Sequence, residues 1–405
     1  MTVPAGESLS KAIAAFLDDT ARDLIGARHR LHQHPELSWQ EERTTAYLVD
    51  VLERRGLRPR VLRHGTGVIC DIGPGEAGRV ALRGDIDALP IDDPKDVPYR
   101  SQNPGVCHSC GHDVHTTAVL GAGLALAAVC NERPDALNGG GVRLIFQPAE
   151  EDVPSGAPMV IADDGLDDVS EIYALHCDPR LRAGTVGLRS GPISAAADSV
   201  RIRLSGPGGH TARPQLTVDL VGLAAKVVSD LTFGVSRLTD SRGGVNLTFG
   251  SLHAGSAMNV IPTEANLAGS LRVLDRASWE AMPDLVENLL ENSVRPYGAD
   301  YELDYRQGAP PVVNDVAKTA FVDEVARREL GSGSVVAVEQ SVGGDDFSWY
   351  LEHVPGCYIR LGVRGQDDTS PLRDLHDGAF DVDEEAILVG ARLLAVVAAE
   401  AAARL

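Results

Sequence analysis

The chain has 405 residues, with 37 Lys+Arg against 58 Asp+Glu and a formal net charge of −21. That length exceeds one compact core and points to about two or three domains, while the 43% hydrophobic fraction argues against wholesale disorder. The acidity disfavours nucleic acid as a partner, because phosphate binding needs clustered Lys/Arg, and disfavours an anionic membrane surface equally.

The N-terminal stretch MTVPAGESLSKAIAAFLDD carries one lysine and soon turns acidic. It has no basic n-region and no long apolar core, so no secretory signal is expected. Residues Ser8 to Leu57 read as helices: Ala12, Phe16 and Leu17 recur at helical spacing, as do Tyr47, Leu48, Val51 and Leu52, with Gly56 at the C-terminal end. Val68 to Ile72 and Arg79 to Arg83 read as strands. Between them Gly73-Pro74-Gly75-Glu76-Ala77-Gly78 matches G-x-G-x-x-G, but it precedes a strand rather than a helix, so a hairpin loop is expected there instead of a nucleotide site.

Asp113 to Val129 follows as an apolar helix, and its most apolar part, Leu120 to Val129, falls short of the ~18 residues that span a bilayer. Val142 to Phe146 and Ile172 to Leu175 are short buried strands. Helices alternating with such strands predict an α/β fold with a mostly parallel sheet. Near Ser194 the pattern changes. Val200, Ile202 and Leu204 alternate; Val218 to Leu231 is helical; Val245 to Phe249 and Ala265 to Val273 are strands; Ser278 caps a helix to about Val294; Tyr301 to Tyr305 is the last strand. The order β-α-β-β-α-β is the ferredoxin-like unit. It predicts an inserted domain over 194–308 within a discontinuous domain over 1–193 and 309–405.

Six cysteines in a chain this long do not make a disulfide framework, so a reduced, cytoplasmic protein is expected. No G-x-S-x-G and no H-E-x-x-H is present. The densest chemistry is Cys107-His108-Ser109-Cys110-Gly111-His112-Asp113-Val114-His115. Thiolate and imidazole suit zinc and its transition-metal neighbours. Gly111 permits a turn that brings Cys110 and His112 to one ion, and the start of a helix lowers a nearby thiol pKa. Taken alone, the cluster leaves a metal site, a redox C-x-x-C and ordinary packing open. Glu150 and Glu151 lie just past a buried strand, where one can ligate and the other act as a base. His176 is read as ending another strand, and His376 adds a further imidazole. The pairs Asp163-Asp164 and Asp167-Asp168 read as solvated, and His29, His32 and His34 look metal-like.

The string Arg83-Gly84-Asp85-Ile86-Asp87-Ala88-Leu89-Pro90 resembles that of the metal-dependent aminoacylase/carboxypeptidase family, in its branch of hippurate hydrolases and indoleacetyl-amino-acid amidohydrolases. His34-Pro35-Glu36-Leu37, Cys110-Gly111-His112-Asp113, Gln147-Pro148-Ala149-Glu150-Glu151, Gly208-Gly209-His210, Asn259-Val260-Ile261-Pro262, Asp345-Asp346-Phe347 and Leu375-His376 match in family order. The resemblance implies a di-metal peptidase-type catalytic domain with an inserted lid and dimerisation domain, hence a homodimer. It implies the metal ligands Cys110, His112, Glu151, His176 and His376, holding one or two divalent ions of zinc, manganese, cobalt or nickel. Glu150 becomes the general base, with Asp85 and Asp87 orienting ligands from behind. His210, Asn259 and Arg272 become contacts to the developing oxyanion and the substrate carboxylate, and His29, His32 and His34 become structural helix residues rather than ligands.

The implied reaction is hydrolysis of an N-acyl-amino acid to a carboxylic acid and an amino acid. A dipeptidase or carboxypeptidase, or an N-carbamoyl amidase, would use the same site. A dithiol oxidoreductase at Cys107-x-x-Cys110 and a non-catalytic binding protein stand further off. Cys107 and Cys177 occupy positions that are usually apolar in the family, and Cys107 and Cys110 could pair as an inactivating disulfide. Asp345 stands where the family commonly has Glu.

Overall fold

The computed structural model describes residues 8–405; the start of the N-terminal stretch read above lies outside the described residues. In the first part of the chain the elements are α1 (Leu9–Gln33), α2 (Glu42–Arg54), β1 (Val68–Ile72), β2 (Arg79–Asp85), α3 (His112–Glu132), β3 (Gly141–Gln147) and β4 (Val169–Arg182). There follow β5 (Ala196–Ser205), α4 (Leu220–Leu238), β6 (Asn246–Ala254), β7 (Glu264–Val273), α5 (Met282–Val294), β8 (Asp300–Arg306), α6 (Val316–Leu330), β9 (Gly356–Arg364) and α7 (Glu385–Ala402).

The chain divides into two compact units. One runs to Gly191 and resumes over Asn314–Glu339 and Trp349–Leu405; the other is Pro192–Val313 with Gln340–Ser348. The expected boundaries differ by a few residues at each end. Gln340–Ser348, read as part of the first domain, groups with the second unit because its backbone is bonded there. The Ser341 amide donates to Ile193 O at 2.9 Å, and the Gln340 side chain donates to the carbonyls of Ser194 and Leu274.

The first unit is built on an eight-stranded sheet whose centre runs β1-β3-β2-β4-β9. β3, β2, β4 and β9 are parallel neighbours, and β1 is antiparallel to β3. Every residue of β3 is buried, as expected of a strand covered on both faces. The glycine-rich stretch Gly73–Gly78 is not a hairpin loop, because β1 and β2 each pair with β3 and not with one another. α3 packs against α1 and α7. By length and composition α3 is apolar enough to cross a membrane, contrary to the expectation from Leu120 to Val129, but 89% of its apolar window is buried inside the protein, as in a core helix.

The second unit has a four-stranded antiparallel sheet in the order β6-β7-β5-β8, with α4 and α5 as its main helices. That is the ferredoxin-like arrangement. The Asp219 side chain caps α4 by accepting from the Gly222 amide. One detail differs from expectation. Asp275, not Ser278, caps the helical stretch before α5, accepting from the Ser278 amide at 2.8 Å, and the chain breaks at Ala281 before Pro283 enters the first turn of α5.

Asp163 is also not solvated. It is 3% exposed and takes the Arg60 and Arg63 guanidinium groups and the Arg63 amide. The three N-terminal histidines are helix residues or end the helix. His32 Nδ1 lies 2.7 Å from Asp113, and the Arg28 Nε–H donates to the same Asp113 oxygen at 2.8 Å. Arg28 and Asp113 are each 1% exposed. A buried ion pair stripped of one partner leaves an uncompensated charge, so Arg28→Met is expected to lower stability by about 3–5 kcal/mol. Urea denaturation of the two proteins at neutral pH measures the difference.

Candidate metal centre

β2 and β3 run parallel with Asp85 opposite Gln147. The segments that follow, Asp85–Asp87 and Glu150–Glu151, therefore leave the sheet at one edge, where parallel sheets place their ligand sites. β4 lies on the other side of β2 with Ala174 opposite Arg83. His176 thus stands level with Asp85, inside a strand rather than at its end as the sequence suggested. α3 starts at His112 directly after Gly111, whose φ is +88°. A Cβ at Gly111 would lie 2.7 Å from Cys177 Sγ, so this turn between Cys110 and His112 requires glycine. His376 sits on a turn with φ of +66°, and its amide donates to Ser109 O at 2.8 Å, which ties it to the Cys110 segment.

Four elements of the first unit thereby bring the predicted ligands together. Donor atoms of Cys110, His112 and His176 lie within 4.8 Å of one another, as do those of Cys110, Glu151 and His376, and those of His112, Glu150 and Glu151. Cys110 Sγ is 3.5 Å from His176 Nε2, and His376 Nε2 is 3.2 Å from Glu151 Oε1. His112 Nε2 is 3.9 Å from a carboxylate oxygen of each glutamate.

Behind this set, Asp87 Oδ1 lies 3.1 Å from His112 Nδ1. Its Oδ2 accepts from the Glu151 amide and the Ser38 hydroxyl. Asp85 takes the Arg83 guanidinium on Oδ2 and His115 Nδ1 on Oδ1, both at hydrogen-bond distance. His115, one helical turn after His112, went unassigned in the sequence although its i, i+3 spacing was visible. The Cys177 amide donates to its Nε2 at 2.8 Å. With Nδ1 donating to Asp85 and Nε2 accepting, His115 has no lone pair left for an ion, and it serves to hold Asp85 and β4 in place.

The electrostatics fit a cation. His112 Nε2 is buried without a hydrogen-bond partner, as a ligand nitrogen awaiting an ion would be. Burial lowers the His112 pKa, but Asp85 and Asp87 outweigh it and push it up to about 10, a sign of strong negative potential at that nitrogen. Burial and His115 hold His176 well below the usual range, which favours the neutral imidazole that a metal ligand must be. Cys110 corrects the expectation of a lowered thiol pKa: burial first, then Glu151, Glu150 and Asp85, push it well above the ordinary value. A helix terminus carries about half a charge and does not offset that carboxylate field; a bound divalent cation would. Sulfur, nitrogen and carboxylate donors together suit a transition ion better than magnesium or calcium.

All six cysteines are free thiols, Cys107 and Cys110 among them. Cys107 is fully buried, and burial pushes its thiol up, the opposite of a reactive thiolate.

In the second unit, Gly209–His210 pairs with Val260–Ile261 as a two-stranded ribbon, and the Thr211 amide donates to Asn259 O. His210 and Asn259 are exposed. The Ala212 amide donates to His210 Nδ1 at 3.0 Å, which leaves Nε2 as the protonated, outward donor. Arg272, on β7, is half-buried and makes no ion pair among the described residues.

The sequence profile of Peptidase family M20/M25/M40 matches residues 81–400. A Rhodococcus jostii (strain RHA1) protein carrying a glutamate–cysteine ligase name is 44% identical over 373 residues, 92% of this chain; the chain spans 46% of that protein's length. The N-acetyl-L-cysteine deacetylase of Bacillus subtilis (strain 168) is 37% identical over 373 residues, covering 92% of this chain and 86% of that protein. A solved Bacillus subtilis structure described as a dinuclear metal binding peptidase from the M20 family has a TM-score of 0.79 at 33% identity, covering 95% of this chain and 99% of that one. A cation-seeking donor cluster at the edge of a parallel sheet, in a sequence that matches the profile over most of its length, makes the chain a member of Peptidase family M20/M25/M40 and a metal-dependent hydrolase.

Proposed function

We propose that the chain hydrolyses the amide bond of N-acyl-amino acids, releasing a carboxylic acid and an amino acid. The observation that carries this reading is the meeting of Cys110, His112, Glu151, His176 and His376 around one centre with Glu150 beside it. The name of the 37% identical deacetylase supports the substrate class. One or two divalent ions (zinc, manganese, cobalt or nickel) held by those five residues would polarise the amide carbonyl and lower the pKa of water from 15.7 towards ~7.

The chain's own groups do the rest. Glu150, its side chain 10% exposed, takes the proton of the attacking water and returns it to the leaving amine nitrogen. Asp87 fixes the tautomer of His112 so that Nε2 faces the centre. His210, reaching the centre of the neighbouring subunit in a homodimer, donates to the developing oxyanion there, a contribution typically worth ~3–4 kcal/mol. Arg272 and Asn259 hold the amino-acid carboxylate, Arg272 as a charge-assisted clamp. We assign the second unit to a homodimer interface and the protein to the cytoplasm.

Replacing Glu150 by Gln is expected to leave metal content unchanged and to lower kcat by ~10² or more; near-wild-type turnover would remove Glu150 from the mechanism. Dialysis against a chelator is expected to abolish hydrolysis, with cobalt, manganese, zinc and nickel added back singly to rank the ions. A panel of N-acetyl-amino acids, hippurate and dipeptides tests the substrate class. Faster turnover of dipeptides than of every N-acyl-amino acid would favour the dipeptidase reading. Sedimentation equilibrium is expected to give twice the chain mass, and a monomer at micromolar concentration would refute the dimer.

A further inference from the structure

Glu41 is fully buried, yet it is neither a metal ligand nor part of an ion pair among the described residues. It occupies the N-cap position of α2, where an acidic side chain ordinarily accepts from the helix's own first amides. Here it makes no such bond. Its Oε1 instead accepts from the Trp39 amide at 3.0 Å and, 108 positions along the chain, from the Ala149 amide at 2.8 Å.

Both donors are unusual. Trp39 has φ of +68° and Ala149 has φ of +52°, the left-handed region that is unfavourable for a non-glycine residue. One carboxylate oxygen therefore pins two strained peptides, and the second of them immediately precedes Glu150 and Glu151. The neighbouring segment reinforces this contact: the Ser38 hydroxyl donates to the same Asp87 oxygen that accepts from the Glu151 amide.

We propose that Glu41 is a positioning residue that holds the Ala149–Glu151 turn in its left-handed entry and so aims the Glu150 and Glu151 carboxylates at the metal centre. The inference rests on the roles given to those two glutamates above. The second oxygen of Glu41 is buried with no hydrogen-bond partner, a cost that a helix cap alone would not require. Burial and the charge of Asp87 push the carboxyl up to about 7. Glutamine keeps a side-chain oxygen in the accepting position and carries no charge to bury.

The test compares Glu41→Gln, Glu41→Asp and Glu41→Ala, with Ala149→Gly alone and combined with Glu41→Ala. The first readout is titration of metal-free protein with cobalt, which does not depend on which substrate is cleaved. The second is kcat and KM on the best N-acyl-amino acid. Glu41→Gln keeps an acceptor for both amides and is expected to bind cobalt and turn over within about 3-fold of the parent. Glu41→Asp and Glu41→Ala withdraw the acceptor and are expected to weaken cobalt binding by about 10-fold or more and to lower kcat with little change in KM. Glycine at 149 enters the left-handed region freely, so Ala149→Gly is expected to restore part of what Glu41→Ala loses.

If Glu41→Ala does not fold, Glu41→Asp decides in its place. Parent-like cobalt affinity and kcat in Glu41→Asp overturn the proposal, as does a Glu41→Gln as impaired as Glu41→Ala. If cobalt binding follows the expected order while no N-acyl-amino acid is hydrolysed by any of the proteins, the substrate reading fails and the positioning role stands.

Discussion

Four carboxylates, those of Asp85, Asp87, Glu150 and Glu151, crowd around one buried imidazole, His112. Charges this close, out of water, repel strongly unless cations offset them. The rest of the first unit can be read as the solution to that constraint. Arg83 neutralises Asp85 from within the strand. Asp87 spends both oxygens on hydrogen bonds, to His112, Ser38 and the Glu151 amide. What remains uncompensated is the negative potential between His112, Cys110 and the two glutamates, and a divalent ion answers it. The raised thiol pKa of Cys110 comes first from burial and then from the same carboxylates, Glu151, Glu150 and Asp85.

Holding like charges in place also requires rigidity, and this comes from groups behind the ligands. α3 carries His112 at its first residue, and the next residue, Asp113, is locked by Arg28 and His32 from α1. His115 locks Asp85 to α3 and to β4 through the Cys177 amide. Gly111 lets the chain turn between two ligands against Cys177 with no Cβ in the way. The centre is therefore attached to two helices and three strands, and each attachment is a buried hydrogen bond or ion pair whose loss leaves an unpaired polar group.

Much of this was legible in the sequence, and the limits have physical causes. The density of Cys and His around Gly111 marked a candidate site but left a metal site, a redox pair and ordinary packing open, and only the family resemblance singled out Cys110, His112, Glu151, His176 and His376 as a set. The β-α-β-β-α-β order was readable because its strands alternate, with one face buried, as β5 does at Val200, Ile202 and Leu204. Strand pairing was not: whether β1 and β2 are neighbours depends on β3, some 60 residues later, and local composition does not encode it. Asp163 looked solvated because its partners, Arg60 and Arg63, lie a hundred positions away. His115 and Glu41 escaped for the same reason, since a positioning residue is defined by what it touches. The thiol pKa was misjudged because a helix terminus is a local feature, whereas the opposing carboxylates come from β2 and β3.

The net charge of −21 now has a partition. Asp85, Asp87, Glu150 and Glu151 belong to the centre. Many of the others are tied up in ion pairs such as Arg203 with Glu264 and Glu302, or Arg327 with Asp323, and exposed pairs of this kind contribute little to stability. For the proposed substrates this matters in one respect. An N-acyl-amino acid is an anion approaching an anionic protein, so long-range steering works against it, and more strongly at low salt. In the proposed reading its capture depends on short-range positive charge, from bound ions and from Arg272, whose guanidinium interacts electrostatically with the buried Asp198 of the neighbouring strand β5.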